Sequence, residues 1–180
     1  PVHRLDEGTT GALLVARTTE ARTALEDLFR RHAVERDYLA LVAGTPSPPA
    51  GEIRSRLAEV GGVMRIVTHG GQSAVTTYES LARRGRCTLV RCRLGTGRRN
   101  QIRAHMSAIG CPLAGDRKYG FRAHAGETFG WPLLHSWRLA FRHPPGPRRH
   151  TPLCLRRDQR GIVHDLGLCL RDRRGRRARL

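Results

Sequence analysis

The sequence lacks the features that mark several common classes of protein. It contains no run of about 18 apolar residues and no signal-peptide pattern, so we predict neither a membrane-spanning helix nor export. Its five cysteines are odd in number and do not follow the paired spacing of a zinc site or a disulfide framework. We therefore expect reduced thiols, no bound metal and a cytoplasmic location.

Acidic residues are scarce beside basic ones. The chain has 33 Lys plus Arg against 15 Asp plus Glu, a net charge of +18, and arginine supplies nearly all of the positive charge. The planar guanidinium fork suits phosphates and base edges better than an ammonium group does. Such an excess indicates an anionic partner and favours nucleic acid, although an arginine-rich genome would give the same bias.

Length and composition fit one globular domain followed by a tail. Hydrophobic residues make up 39% and charged residues 27% of the 180 positions, which is typical of a folded chain with a single core. Beyond residue 147 the sequence becomes rich in arginine and loses its periodicity. We predict a folded domain over 1–147 and a disordered basic tail over 148–180.

The apolar periodicity predicts an α+β fold. An amphipathic helix follows Thr18, a good N-cap, and a second helix with an apolar stripe begins after Asn100 and stops at Gly110. Short strands joined by glycine-rich turns are typical of a largely antiparallel sheet. We predict strands over 12–17, 36–44, 51–57, 63–68, 74–81, 87–94 and 134–141.

Two polar segments stand out as candidate functional sites. Near the start of the chain, Asp6 and Arg4 lie in a turn ahead of an apolar run, a position that can hold charged side chains at a cleft wall. The aspartate could instead bond only local backbone amides, as turn residues do. Farther along, 98–101 gathers arginine and amide donors at a predicted helix N-terminus, where anions are favoured; a solvated basic turn is the alternative.

Taken together, five segments resemble the RNA pseudouridine synthases of the RluA type. The resemblance extends over residues 1 to about 147 and rests on the order and spacing of the segments 3–11, 36–40, 97–105, 115–120 and 134–144. It implies a mixed, mainly antiparallel sheet with flanking helices and a central cleft, into which the target uridine is flipped out of its RNA. It implies no cofactor and no metal.

The resemblance also implies roles for individual residues. Asp6 is the catalytic carboxylate and attacks the uridine as a nucleophile. Because burial disfavours an ionised carboxylate, we expect a guanidinium partner, and Arg103 stands at the family's matching position. Tyr38 packs against the uracil and is a candidate to assist removal of the proton from its carbon; an ordinary amphipathic tyrosine at a strand edge is the alternative. Arg4 fills the space of the flipped base or contacts the RNA.

We assign the remaining basic residues of the second segment, Arg98 and Arg99, to RNA phosphates. The sequence departs mildly from the family at two positions that matter below: Asn100 stands where many members have His, and Arg36 where many have Lys.

The first hypothesis is therefore an enzyme that isomerises uridines in ribosomal or transfer RNA. Because the first motif begins at residue 2, we expect a catalytic core without the N-terminal strands of the family, and we favour a monomer. The alternative is a truncated relative that binds RNA without modifying it. A hydrolytic nuclease ranks last, because the sequence offers no carboxylate cluster for metal ions.

Overall fold

The computed structural model describes residues 1–124, 127–142 and 152–156. The described chain contains a mixed eight-stranded sheet, two α-helices and a short 3-10 helix at Arg117–Tyr119. In chain order the elements are β1 Thr10–Gly11, α1 Thr19–Arg30, β2 Glu35–Ala43, β3 Ala50–Val60, β4 Val63–Val67, β5 Gln72–Arg84, β6 Cys87–Leu94, α2 Gln101–Ala108, β7 Leu134–Arg142 and β8 Pro152–Arg156. Neither helix has the length and apolarity to cross a bilayer.

The sheet confirms the predicted mixed and mainly antiparallel architecture. Its strand order is β1-β7-β2-β6-β5-β3-β4, with β8 also paired to β7. The one parallel pairing among the described strands joins β1 to β7. β2 lies between β6 and β7 and is buried from residue 36 to 42, so both of its faces are covered.

The two helices pack against the sheet and leave a cleft between them. Strand alternation puts Tyr38, Ala40 and Val42 on one face, where they share a core cluster with Ile102 and Met106 of α2. A second cluster joins α1 to the other end of the sheet through residues of β7. The helix predicted after Thr18 is confirmed, because the Thr18 side chain accepts a hydrogen bond from the N–H of Ala21 at 3.2 Å.

The predicted strand over 12–17 is wrong, since only Thr10–Gly11 form a strand there. β1 runs parallel to β7 and pairs at His135 and Ser136, and its continuation would reach the edge of β7 that β8 occupies from Arg138 onward. Gly11 is needed at this contact: its φ is +111°, and a Cβ there would lie 2.2 Å from the Ser136 carbonyl oxygen.

The C-terminal region differs from the prediction at one place. Pro152–Arg156 forms β8, antiparallel to β7, although it falls within the tail predicted to be disordered. The other residues of 148–180 lie outside the described residues. The proposed boundary at residue 147 stays a prediction.

Candidate active site

A cavity of about 590 Å³ opens between α1 and α2 on one face of the sheet. Its lining includes the segment 3–6, the β2 residues Arg36 and Tyr38, the turn at 97–99, and residues at the end of α1 and the start of α2. Its volume lies in the range of pockets that enclose small ligands. The lining contains five arginines (Arg4, Arg30, Arg36, Arg98 and Arg99) but one carboxylate, that of Asp6, so the cavity favours anions.

A second cavity of about 650 Å³ lies on the other side of the Asp6 segment. Arg4, Asp6 and Arg99 line both cavities, whereas Arg103 and Asp116 line the second one only. The carboxylate of Asp6 is therefore accessible from the cleft and also close to the buried groups behind it.

A backbone amide far along the chain fixes the side chain of Asp6. The N–H of Asn100 donates a hydrogen bond to Asp6 Oδ2 at 3.0 Å, across 94 residues of sequence. The local turn is closed instead by the backbone, because the N–H of Thr9 donates to the Asp6 carbonyl oxygen at 2.9 Å. The interpretation of Asp6 as a residue whose side chain serves only its own turn is therefore wrong.

Burial and positive charges act on Asp6 in opposite directions. Partial burial raises the pKa of the carboxyl group above its ordinary value, because desolvation disfavours the anion. The hydrogen bond from Asn100 and the positive charges of Arg103, Arg4 and Arg99 each lower this pKa in part. The site thus holds a partly desolvated carboxylate within a positive surrounding.

The predicted direct pairing of Arg103 with Asp6 is wrong. The guanidinium of Arg103 binds Asp116 in a bidentate pair, Nε to Oδ2 at 2.7 Å and Nη2 to Oδ1 at 2.8 Å. Its Nη1 donates to Asn100 Oδ1 at 3.0 Å. The central guanidinium carbon of Arg103 lies 4.6 Å from the centre of the Tyr119 ring. Asp116 is almost fully buried and needs a charged partner, which explains why Arg103 pairs with Asp116 and not with Asp6. Arg103 therefore acts on Asp6 through its charge and through Asn100.

The other predicted residues surround the first cavity. Tyr38 is buried, and desolvation raises its pKa, so its hydroxyl keeps its proton at neutral pH. Arg4 is exposed between the two cavities. Arg98 donates from Nε to the Ser73 carbonyl oxygen at 3.0 Å. All three residues line the first cavity.

Arg99 makes an exposed ion pair with Glu59, Nη1 to Oε2 at 3.0 Å. Exposed pairs of this kind contribute little free energy, so a polyanion can displace the carboxylate. The predicted phosphate contacts of Arg98 and Arg99 stay predictions.

Two residues that position the site, Asp116 and Gln101, were not predicted from the sequence. Asp116 holds Arg103, and no pattern links these two residues across a helix and a loop. Gln101 fixes the basic turn, because its Oε1 accepts hydrogen bonds from the Arg98 N–H at 3.0 Å and the Thr96 hydroxyl at 2.7 Å. Asn100 has the cap position that was predicted, but its φ is +50° and its side chain does not cap α2.

Within the residues that the structure describes, no group of three or more His, Cys, Asp or Glu side chains could hold a metal ion. The carboxylate cluster that a metal-dependent nuclease needs is therefore not found in this part of the chain.

Comparison with known proteins identifies the same family that the motifs resemble. The family model described as RNA pseudouridylate synthase matches residues 1–108. The uncharacterized RNA pseudouridine synthase YlyB of Bacillus subtilis is 41% identical over 145 residues, which cover 79% of this chain and 47% of the relative. The ribosomal large subunit pseudouridine synthase D of Zymomonas mobilis is 39% identical over 153 residues, 79% of this chain and 48% of the relative.

Solved structures give the same result for the fold. The human RNA pseudouridylate synthase domain containing 4 superposes with a TM-score of 0.72 and 26% identity, over 92% of this chain and 75% of that one. The chain spans about half the length of the curated relatives it matches.

Proposed function

Because this chain belongs to the RNA pseudouridylate synthase family, we propose that it isomerises uridines in RNA to pseudouridine, with Asp6 as the nucleophile. The observation that carries the proposal is a carboxylate held by the Asn100 amide at the wall of an arginine-lined cavity. Ribosomal or transfer RNA is the proposed substrate, and the name of the Zymomonas relative favours ribosomal RNA. The proposal includes a cytoplasmic, monomeric protein that uses no cofactor.

Substrate binding follows from the charge of the cleft. Phosphates of the RNA would contact exposed arginines such as Arg4 and Arg99, which position the strand without reading its sequence. Flipping the uridine out of its stack costs roughly a few kcal/mol, which contacts inside the cavity must offset. Tyr38 lines this cavity and offers an aromatic surface on which the uracil ring can pack.

The chemistry uses a single carboxylate and leaves the atomic composition of the uridine unchanged. The carboxylate of Asp6 attacks the nucleotide, and the bond between the ribose and the uracil nitrogen breaks. The detached uracil keeps the bonding electrons and turns, and its carbon forms a bond to the ribose that displaces Asp6. The proton on that carbon then moves to solvent, and the freed ring nitrogen takes up a proton, so the product is an isomer of uridine. The buried phenol of Tyr38 keeps its own proton, so we assign it to packing against the base.

The test compares variants that differ by one carboxylate. Wild type, Asp6→Asn and Asp6→Ala are incubated with uridine-labelled ribosomal and transfer RNA, and pseudouridine is quantified. Glu52→Gln on β3 serves as the control, because it removes one charge from an exposed carboxylate whose partner, Arg54, also lies outside both cavities. We expect both Asp6 variants to lose at least about a thousandfold in turnover while the control retains it.

Two results would change the conclusion. Equal product from all four proteins would remove Asp6 from the mechanism. RNA binding by wild type without any product would favour the alternative, an RNA-binding relative that does not modify its ligand.

A further inference from the structure

Arg36 is a buried cation that has no hydrogen-bonding or acidic partner within the part of the chain that the structure describes. It lines the first cavity and is 9% exposed. Its Nε atom is shielded from solvent, and no acceptor forms a hydrogen bond with it. Among the described residues, no carboxylate, carbonyl or hydroxyl group receives a hydrogen bond from its guanidinium. The other buried arginine of the site, Arg103, has a bidentate carboxylate instead.

The surroundings of Arg36 are neutral or positive. Its guanidinium carbon lies 5.9 Å from the centre of the Phe29 ring, and the charge of Arg98 adds to the burial that lowers the pKa of Arg36. Burial and the charge of Arg36 lower the pKa of His3. The Nε2 atom of His3 accepts a hydrogen bond from the Leu14 N–H, so the His3 ring is neutral.

The backbone is also shaped around this guanidinium. A Cβ at Gly97 would lie 2.3 Å from Arg36 Nη1, so any other residue at this turn would displace the end of the Arg36 side chain. The cavity therefore has a place for the cation, and the one carboxylate in its lining, Asp6, makes no ion pair with Arg36.

An unpaired buried charge costs free energy, and an apolar residue of similar volume would be more stable there. A guanidinium fork is well matched to the oxygens of a phosphate. Arg36 and Tyr38 point to the same face of β2 and are two residues apart, roughly 6.6 Å along the strand. A base packed on Tyr38 would thus leave its own phosphate within reach of Arg36.

We propose that Arg36 is a phosphate-binding residue, and that it neutralises a phosphate of the same nucleotide whose base enters the cavity. The inference rests on the proposed function for the identity of that nucleotide. It assigns to the cavity a nucleotide with its phosphate attached, rather than a free base or nucleoside, as the smallest ligand that the site recognises.

The test measures binding of three small ligands to the full 180-residue chain. Uridine monophosphate, uridine and inorganic phosphate are titrated at constant ionic strength by calorimetry and by thermal melting. We expect wild type to bind uridine monophosphate at least tenfold more tightly than uridine, and Arg36→Met to lose this preference. Without ligand, Arg36→Met should melt no lower than wild type, because it removes an unpaired buried charge. Arg22→Met, which changes an exposed arginine of α1, should behave as wild type.

Gly97→Ala provides an independent variant, because the added methyl group displaces the guanidinium without removing its charge. We expect it to weaken binding of uridine monophosphate at least fivefold and to leave binding of uridine unchanged. Equal affinity of wild type for uridine and its monophosphate, no stabilisation by any of the three ligands, or a preserved preference in Arg36→Met would overturn the proposal.

The pseudouridine assay separates this proposal from the proposed function. Phosphate-dependent binding through Arg36 without pseudouridine formation would mean that the proposed function alone has failed. Normal product formation by Arg36→Met with unchanged KM for RNA would mean that the role of Arg36 alone has failed.

Discussion

The ion pair between Arg103 and Asp116 allows the sharpest prediction. The carboxylate of Asp116 is 1% exposed and the Arg103 side chain 10% exposed, and two hydrogen bonds of 2.7 and 2.8 Å join them. Asp116→Asn leaves the guanidinium buried without its counter-charge. Breaking one side of such a pair costs about 3–5 kcal/mol, a large part of the roughly 5–15 kcal/mol that stabilises a typical domain.

Thermal and urea unfolding followed by circular dichroism measures this loss. For a domain of this size, 1 kcal/mol corresponds to about 2–4 °C, so Asp116→Asn should melt about 6–20 °C lower than wild type. Glu59→Gln is the matched control, because it removes the same charge from an exposed ion pair with Arg99 and should cost no more than about 1 kcal/mol.

A double variant separates stability from function. Replacing both partners, Arg103→Met with Asp116→Leu, removes the unpaired charge and should recover most of the lost free energy of unfolding. It should not recover turnover, because the carboxylate of Asp6 loses the positive charge of Arg103. A loss below about 1 kcal/mol in Asp116→Asn, or a double variant no more stable than the single one, would refute the reasoning.

Three further predictions concern protonation. Burial raises the pKa of Asp6, so the single-turnover rate should already fall at a pH above the ordinary pKa of an aspartate as the solution is acidified. A rate that falls only at the ordinary aspartate pKa would contradict this prediction. Asp6→Asn should melt at or above the wild-type temperature at neutral pH, because it removes a partly desolvated charge, and a clear decrease would show the opposite. Burial lowers the pKa of His105 from 6.5 to about 4, so the unfolded chain binds more protons between these values. The free energy of unfolding should therefore decrease by about 3 kcal/mol from pH 6.5 to 4, and His105→Gln should flatten this dependence in urea unfolding.

The sequence predicted the elements whose signals are local. β2 and α1 follow from apolar periodicity together with turn and capping residues, which need no knowledge of distant contacts. The strand over 12–17 failed for the opposite reason. Ala12 and Leu14 are buried, but whether this segment forms a strand depends on a free edge of β7, and β8 occupies that edge from Arg138 onward.

The site shows the same division. The two polar segments were expected to meet in one cleft, and the bond between Asn100 and Asp6 joins them. The partner of Arg103 could not be derived, because Asp6 and Asp116 are both acidic and both line the cavity that Arg103 reaches. Burial decides between them: Asp116 is the more deeply buried carboxylate and gains more from a bidentate cation.

The contacts around Asn100 explain why a departure from the family at this position is compatible with the site. Its side chain serves Arg103, whereas its backbone N–H serves Asp6. Every residue except proline has that N–H, so a histidine at position 100 could hold the carboxylate equally well. The φ of +50° restricts which residues fit at position 100, because Asn and His tolerate the left-handed region better than β-branched residues do. The hydrogen bond to Asp6 thus depends on the path of the backbone into α2, and the side chain at position 100 is free to adapt to Arg103.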